Sequence, residues 1–285
     1  MKDARPATRI WWKILRFVLY TCCFLILLTA AVGFALTLPA VQQKITDKAT
    51  SFLREKLGTR VELGAVRLHF PYNVSLEKLL LEDQQGDTLA RIGSLNISVD
   101  MWQLLNQTIE FQKVSLEDAG VYLHKKDSIY NFDFVTQAFA KSKTPKPKPE
   151  PVDSGSSPWK IQLDLTVLQL KNVAFLLNDE DAESITQANV GSLETVIKTA
   201  DLKTTSIELD GLRLSDSDIR LIDKKKSTPS GKPSPAFALL LSNADISRSH
   251  LFYSTPERSV DANLESTKLG RLKLQSANDA LAIES

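Results

Sequence analysis

The side chains that could do acid–base or metal chemistry are few and widely separated in this sequence. The three histidines, His69, His124 and His250, each lie in or beside a segment of alternating apolar residues. A lone strand histidine is more often a surface residue than a base or ligand, because both roles need other polar groups at fixed spacing. The acidic run at residues 179–181 lies in a polar turn and lacks a calcium-loop pattern. We therefore expect no catalytic residue, no metal site and no cofactor.

The motifs of the common enzyme classes are missing as well. The sequence contains no P-loop, no dinucleotide-binding fingerprint, no HExxH and no GxSxG elbow. The two cysteines, Cys22 and Cys23, are adjacent, which argues against a disulfide scaffold. With 35 basic and 34 acidic residues the net charge is +1, which gives no general attraction for nucleic acid. We expect a protein that is not an enzyme and has no nucleic-acid partner.

The N-terminus has the pattern of a membrane anchor. Residues 1–16 contain five basic side chains and one acidic one, and residues 17–38 then contain no charge. Those 22 residues would span about 33 Å as a helix, enough to cross a bilayer. A cleaved signal peptide usually has a shorter apolar core, and the residues before Cys22 do not suit a lipoprotein signal. Basic flanks stay in the cytoplasm, so the rest of the chain should face outward.

A second helix should follow the anchor. From Val41 to Leu57 the apolar residues fall on one helical face, and Gly58 suits the end of the helix. This helix could lie on the membrane or close the end of the next domain, or it could simply pack on the first sheet. Its mixed charges do not favour the membrane-surface alternative.

The rest of the chain alternates apolar and polar residues, as antiparallel strands with one apolar face do. The parity slips by one residue at Gly64-Ala65, which predicts a β-bulge. We predict turns at residues 84–86 and 117–120. The residues expected to line an apolar face are Val61, Leu63, Val66, Leu68, Phe70, Leu95, Ile97, Val99, Ile109, Phe111, Val114, Leu116, Val121, Leu123, Ile207, Leu209, Leu212, Leu214, Ile219 and Leu221.

Self-comparison indicates an internal duplication. The segment from Ile92 aligns without gaps with the segment from Val190, and both contain Gly-Ser-Leu at the same place. Ile246, Leu251 and Tyr253 repeat the spacing of an earlier strand and indicate a third unit. The predicted organisation is a cytoplasmic basic tail (1–16), a transmembrane helix (17–38), a juxtamembrane amphipathic helix (39–58), a first β-repeat module (59–140), a Pro/Lys-rich linker (141–158), a second module (159–226), a linker (227–235) and the start of a third module (236–285). Alternation still continues at residue 283, which suggests the N-terminal part of a longer protein.

This layout resembles the N-terminal portion of the TamB/AsmA-like family of bacterial envelope proteins. The resemblance is carried by the basic tail, the anchor, the segment LPAVQQKITDKATSFLREKLGTRVELGAVRL and the repeated GSLxxxV and alternating blocks. It implies a mainly β fold in which repeated antiparallel strands form an elongated open groove, anchored in the inner membrane with its bulk in the periplasm. It also implies phospholipid as a partner, and a TamA/BamA-like outer-membrane barrel as a partner of a region beyond residue 285.

Three functions remain open from the sequence. An open groove lined by the residues above would pass phospholipid, because acyl chains need a continuous apolar surface. A periplasm-spanning scaffold for outer-membrane protein insertion or secretion would use the same strands without conducting lipid. A closed sandwich, which alternation alone favours, would suit a membrane-anchored adhesion or adaptor module.

Overall fold

The computed structural model describes residues 7–69, 73–100, 103–139, 160–162, 166–201, 206–225, 237–277 and 280–284. The predicted linkers at 141–158 and 227–235, and the predicted apolar-face residue Phe70, lie outside this part of the chain. The helices are α1 (Ala7–Thr37), α2 (Pro39–Leu57) and α3 (Asp133–Phe139), with a 3₁₀ helix at Gln103–Asn106. The strands are β1 (Val61–His69), β2 (Asn73–Glu82), β3 (Thr88–Val99), β4 (Thr108–Lys126), β5 (Ile129–Tyr130), β6 (Lys160–Gln162), β7 (Thr166–Asp179), β8 (Ser184–Asp201), β9 (Ser206–Ser215), β10 (Asp218–Asp223), β11 (Phe237–Ser254), β12 (Ser259–Ala277) and β13 (Ala280–Glu284).

The N-terminal helix is apolar, and its contacts in the described chain are with α2 and β1. Within α1 the stretch Leu15–Ala35 is long and apolar enough to cross a membrane, and none of it is buried in the protein. Large side chains such as Phe17, Tyr20 and Phe24 are exposed along it. An exposed helix of this composition needs an apolar solvent, so the structure is compatible with a single-pass membrane anchor.

The strands form one large mixed sheet, and the predicted mainly β fold is confirmed. Its path runs β1-β2-β3-β4-β7-β8-β10-β11-β12-β13, with β9 between β8 and β11 and with β5 and β6 on β4. Among the described elements, strands contact their sheet neighbours, α1 and α2 contact β1, the 3₁₀ helix contacts β4, and α2 also contacts α1 and α3. The described chain therefore has a single β layer and no second sheet packed on it.

The pairing differs from the prediction where the modules join. Strands within a module are antiparallel, as expected, but β4 pairs with β7 and β6 in parallel, and β11 pairs in parallel with β9 and β10. A parallel joint requires the chain to return to the starting end of the strand before pairing again. The long polar segments of the sequence lie at these two returns. The predicted turn at residues 117–120 is also wrong, since β4 runs through it without reversing.

The pairing register repeats at the spacing found in the sequence. Leu95 pairs with Leu116 in the first module, and Leu193 pairs with Leu214 in the second. At the parallel joints Leu116 pairs with Leu170, and Leu214 pairs with Ile246. The residues that align by sequence therefore occupy the same positions in the sheet, and the strand that is continuous in β4 corresponds to the pair β9 and β10.

The free edge of the first strand is covered by side chains of α2. Thr46 Oγ1 accepts a hydrogen bond from the Val66 N–H at 2.8 Å, and Arg54 Nε donates to the Val61 carbonyl at 2.6 Å. Gln42 Nε2 reaches the Leu68 carbonyl at 3.5 Å. These three residues lie on one face of the helix because they recur every four or eight positions. The helix closes this edge of the sheet and leaves fewer unpaired backbone groups for another strand to bind.

Thr46 tests this closure. Thr46→Val should lower the free energy of unfolding by about 1–3 kcal/mol, because it removes the acceptor for the Val66 N–H from a buried position. Thr50→Val is the matched control, since the Thr50 hydroxyl donates only within its own helix, to the Thr46 carbonyl. Thermal unfolding of the detergent-solubilised protein measures both. Equal losses in the two variants would contradict the proposed role of Thr46.

Candidate functional site

Apolar side chains line up across the sheet in continuous rows. The first row, here called lane 1, follows the register through eight strands: Val66, Leu76, Leu95, Leu116, Leu170, Leu193, Leu214 and Ile246. At about 4.8 Å between strands, lane 1 is about 34 Å long. A second row, lane 2, crosses nine strands: Val61, Leu81, Ala90, Val121, Phe175, Ala188, Ile219, Leu251 and Ala262.

The sequence predicted a set of residues for the apolar face, and the pairing register places all of those in the described chain on one face of the sheet. Lane 1 and lane 2 hold Val61, Val66, Leu95, Leu116, Val121, Leu214 and Ile219. The alternation of neighbours puts Leu63, Leu68, Ile97, Val99, Ile109, Phe111, Val114, Leu123, Ile207, Leu209, Leu212 and Leu221 on the same face. The sheet thus brings together apolar residues that are up to 160 positions apart in the chain.

The sequence prediction left out the residues that three strands contribute to this face. Strands β2, β7 and β11 contribute Leu76, Leu79 and Leu81, then Leu168, Leu170, Val173, Phe175 and Leu177, and finally Ile246, Leu251 and Tyr253. Alternation was visible in each of these segments. What the sequence did not show was which of their two faces joins the face formed by β1, β3 and β4.

Between the two lanes, each strand has one position that is skipped in the pairing, and these positions form a line across the sheet without an extra residue in any strand. We call this line the crease and define it by the residues with positive φ: Lys78, Asp118, Asn172, Asp216 and Arg248. The pairing shows their alignment: Glu77 with Ser94 and Leu79 with Ile92 leave Lys78 opposite Gly93. The apolar parity shifts by one residue at each of these positions, as the slip at Gly64-Ala65 indicated. Because every strand shifts at the same level, the apolar face stays continuous.

Glycines make room for the crease. A Cβ on Gly93 would lie 2.8 Å from the Cβ of Asp118, and one on Gly191 would lie 2.7 Å from the Cβ of Asp216 and against its carbonyl oxygen. A Cβ on Gly64 would similarly meet the Cβ of Lys78 at 2.9 Å. Backbone atoms approach too closely at these points for any side chain, which explains why the Gly-Ser-Leu step occurs in both repeats.

Burial beside the crease indicates which way the sheet bends. Ala119, Leu214, Ser217 and Ser249 lie next to the crease on the apolar face and are buried, with exposures of 5%, 9%, 4% and 7%. The crease residues at the same level are exposed on the opposite face. Since no second described layer covers either face, these side chains are buried by one another. We infer that the sheet bends towards its apolar face and forms a groove, which no second sheet covers in the described chain.

Several hydroxyl groups lie on the apolar face, and each donates to a backbone carbonyl. Ser217 donates to the Ser215 carbonyl at 2.9 Å, and Ser249 donates to the Ser247 carbonyl at 2.8 Å. Thr166 and Thr195, each 1% exposed, donate across strands to Phe111 and Asp210. Bulges interrupt the ladder and free carbonyls, which these short side chains satisfy. The hydroxyls therefore belong to the backbone of the groove and leave its surface mainly apolar.

Most of the groove side chains are only partly buried. Those of lane 1 other than Leu214 are intermediate in exposure, as are Val121, Phe175, Ile219 and Leu251 of lane 2. A closed sandwich would bury such residues almost completely between its two sheets. An apolar surface of this length, continuous and open to solvent, is typical of a binding surface for another apolar body.

The opposite face, here called the polar face, carries ion pairs between neighbouring strands, although Leu80, Leu176 and Phe252 also lie on it. Arg67 binds Glu77 at 2.8 Å, Arg248 binds Asp216 at 2.7 Å, and Arg213 contacts Glu194. His250 lies between two carboxylates, with Nδ1 at 3.0 Å from Asp218 and Nε2 at 2.8 Å from Asp261. These pairs connect β10, β11 and β12. In the described chain no group of three His, Cys, Asp or Glu residues could hold a metal ion.

Gly191 tests the crease. Gly191→Ala should destabilise the protein by about 1–3 kcal/mol, because the new methyl group meets the backbone of Asp216. Gly270→Ala is the control, since nothing lies within 4 Å of its added Cβ; it should be neutral or slightly stabilising. Urea or thermal unfolding distinguishes the two. If both variants unfold alike, close packing at the crease is not required.

His250 gives a pH dependence with a defined sign. Its hydrogen bond to Asp218, followed by that to Asp261, raises its pKa above the ordinary value for histidine. The contribution of protonated His250 to stability is therefore complete at low pH and disappears as the pH rises through the raised pKa. Asp218 has a lowered pKa, chiefly from Arg220 and then His250, so its contribution is lost only as the pH falls through that lowered value.

NMR titration of the His250 ring measures this effect. Asp261→Asn should lower the pKa of His250 while Asp218 still holds the other ring nitrogen. An unchanged titration in that variant would show that Asp261 does not contribute.

Sequence comparison agrees with this architecture. No curated protein matches the chain. The AsmA family matches residues 11–235, which include α1, α2 and the strands β1 to β10. Because this match covers most of the sequence, the chain belongs to the AsmA family.

Proposed function

We propose that this protein is a membrane-anchored, periplasmic groove that supports outer-membrane biogenesis by passing phospholipid along its apolar face. The single observation that carries the proposal is the continuity of lanes 1 and 2 across the module joints. Family membership supports an envelope-associated protein, and the five basic residues in positions 1–16 favour a cytoplasmic N-terminus in the bacterial inner membrane.

The energetics suit acyl chains. Each methylene moved from water to an apolar surface contributes about 0.8 kcal/mol, so a chain held along a lane is retained without specific hydrogen bonds. Because the lanes are rows of similar side chains, a shift by one strand replaces each contact with a similar one. Movement is then guided diffusion along the groove, and it needs neither a catalytic residue nor a cofactor in this chain. The polar headgroup stays at the open side of the groove, in water.

A pair of substitutions on adjacent residues tests the conduit. Leu116→Asp places a charge in the middle of lane 1 and should abolish phospholipid transfer between vesicles or between membranes in cells. Ser115→Asp places the same charge on the opposite face of β4 and should leave transfer unchanged. Thermal unfolding must show that both variants are folded and equally abundant. Normal transfer by folded Leu116→Asp would contradict the proposal.

Photo-crosslinking tests directly whether phospholipid contacts the apolar face. Benzoylphenylalanine at Ile97 or Leu212, on the apolar face, should capture phospholipid, while the same probe at Arg67 or Lys171, on the polar face, should not. Capture of proteins at the sheet edges, with lipid captured nowhere, would support the scaffold function in its place. In that case polar substitutions in the lanes should be tolerated.

A further inference from the structure

The two ends of the first four strands differ in their surroundings. The near end is defined here as the ends of β1 to β4 at His69, Asn73, Val99 and Thr108, together with the 3₁₀ helix Gln103–Asn106. Gln42, in the first turn and a half of α2, reaches the Leu68 carbonyl, and α1, which ends at Thr37, contacts β1. The near end therefore lies beside the point where the chain leaves α1.

The same strands carry very different charge at their two ends. Among the described near-end residues from Leu68 to Val74 and from Val99 to Ile109, the ionisable side chains are His69 and Asp100. At the far end, the β2–β3 and β4–β5 turns with their flanking residues contain Glu82, Asp83, Asp87, Lys125, Lys126 and Asp127. The end beside α1 is thus nearly uncharged, and the opposite end is highly charged.

The helix α2 is a poor alternative for contact with the membrane. Its face away from β1 exposes Lys44, Asp47, Lys48 and Glu55. Acidic and basic groups together are not typical of an interfacial helix, which presents an apolar face to the bilayer. Its apolar residues Val41 and Ile45 are partly buried in the protein.

We propose that the near end of β1 to β4 docks into the lipid interface of the membrane that α1 crosses. Charged groups become costly where the interface meets the hydrocarbon core, so a nearly uncharged end can lie deeper in the lipid than the charged far end. Lane 1 lies on the near-end side of the crease, so docking would bring its first residues, Val66 and Leu76, next to the lipids. This inference rests on the membrane anchoring in the proposed function and not on lipid transfer.

Site-specific labelling tests the docking, because the only cysteines lie in α1. In a chain with Cys22→Ser and Cys23→Ser, single cysteines at His69 and Asn106 report the near end, and cysteines at Gln85 and Ile129 report the far end. All four positions are exposed. A control chain that carries only Cys23→Ser is labelled at Cys22 and shows whether α1 lies in the membrane. Each is labelled with the fluorophore NBD and reconstituted in phosphatidylethanolamine–phosphatidylglycerol vesicles, with unfolding temperatures matched.

The expected result is blue-shifted emission at both near-end positions, with at least threefold stronger quenching by a lipid-borne quencher than at the far end. Far-end labels should be quenched by aqueous iodide. If the Cys22 label is quenched by the lipid-borne quencher but near-end labels behave like far-end labels, the docking proposal is wrong while the anchor stands. Near-end labels shielded from iodide without lipid quenching would indicate protein contact, which also overturns it. A Cys22 label quenched by iodide would refute the anchor, and with it both proposals.

Discussion

The structure depends on a shared parity shift. In any strand, a one-residue slip moves every following side chain to the opposite face, so an isolated bulge would end the apolar surface. Here the slips at Lys78, Asp118 and Asn172 lie side by side, and the strands therefore change parity together. Keeping the lanes continuous requires an unfavourable positive φ at each of these positions and glycines opposite them. The bend that forms the groove results from the same alignment.

The parallel joints extend this constraint from one module to the next. An antiparallel continuation after β4 would require a hairpin, and the register would then depend on the turn. Before β7 the chain returns to the near end of the sheet, so no short turn sets the register between β4 and β7. The contacts between their side chains can therefore determine it. That pairing sets Asn172 beside Asp118, where its amide donates to the carboxylate at 2.6 Å. At the next joint Arg248 meets Asp216 in the same way. Polar contacts at the crease thus fix the register where no turn does.

Local signals were sufficient to predict the two long helices and the alternating strands, but not α3, the 3₁₀ helix or the joints. The charge-free run before Leu38 indicated α1, and Gly58, with φ of 68°, ends α2 as its type suggests. The slip at Gly64-Ala65 correctly indicated a change of parity, but the predicted β-bulge is wrong, because one residue on each strand, Gly64 and Lys78, is skipped in the pairing and the register does not shift. The residues 117–120 were mistaken for a turn because Asp and Gly favour reversals, and only the neighbouring strands keep Asp118 within β4. Parallel pairing of β4 with β7 depends on contacts between residues more than 50 positions apart. The alternation of apolar and polar residues within a strand carries no information about such contacts. The buried hydroxyls of Thr166 and Thr195 are also invisible to a hydrophobic pattern.

Stability and function are linked by the same exposed surface. In the described chain the fully buried apolar side chains are few, among them Val61, Leu89 and Leu241, although the sheet has thirteen strands. A single layer gains less from hydrophobic burial than a sandwich, and the ladder, the ion pairs and α2 along the edge of β1 supply the rest. The apolar lanes remain as surface that water solvates poorly. A bound acyl chain removes that surface from water, and by mass action its binding also stabilises the folded sheet. The feature that weakens the empty sheet is therefore the one on which the proposed binding of lipid depends.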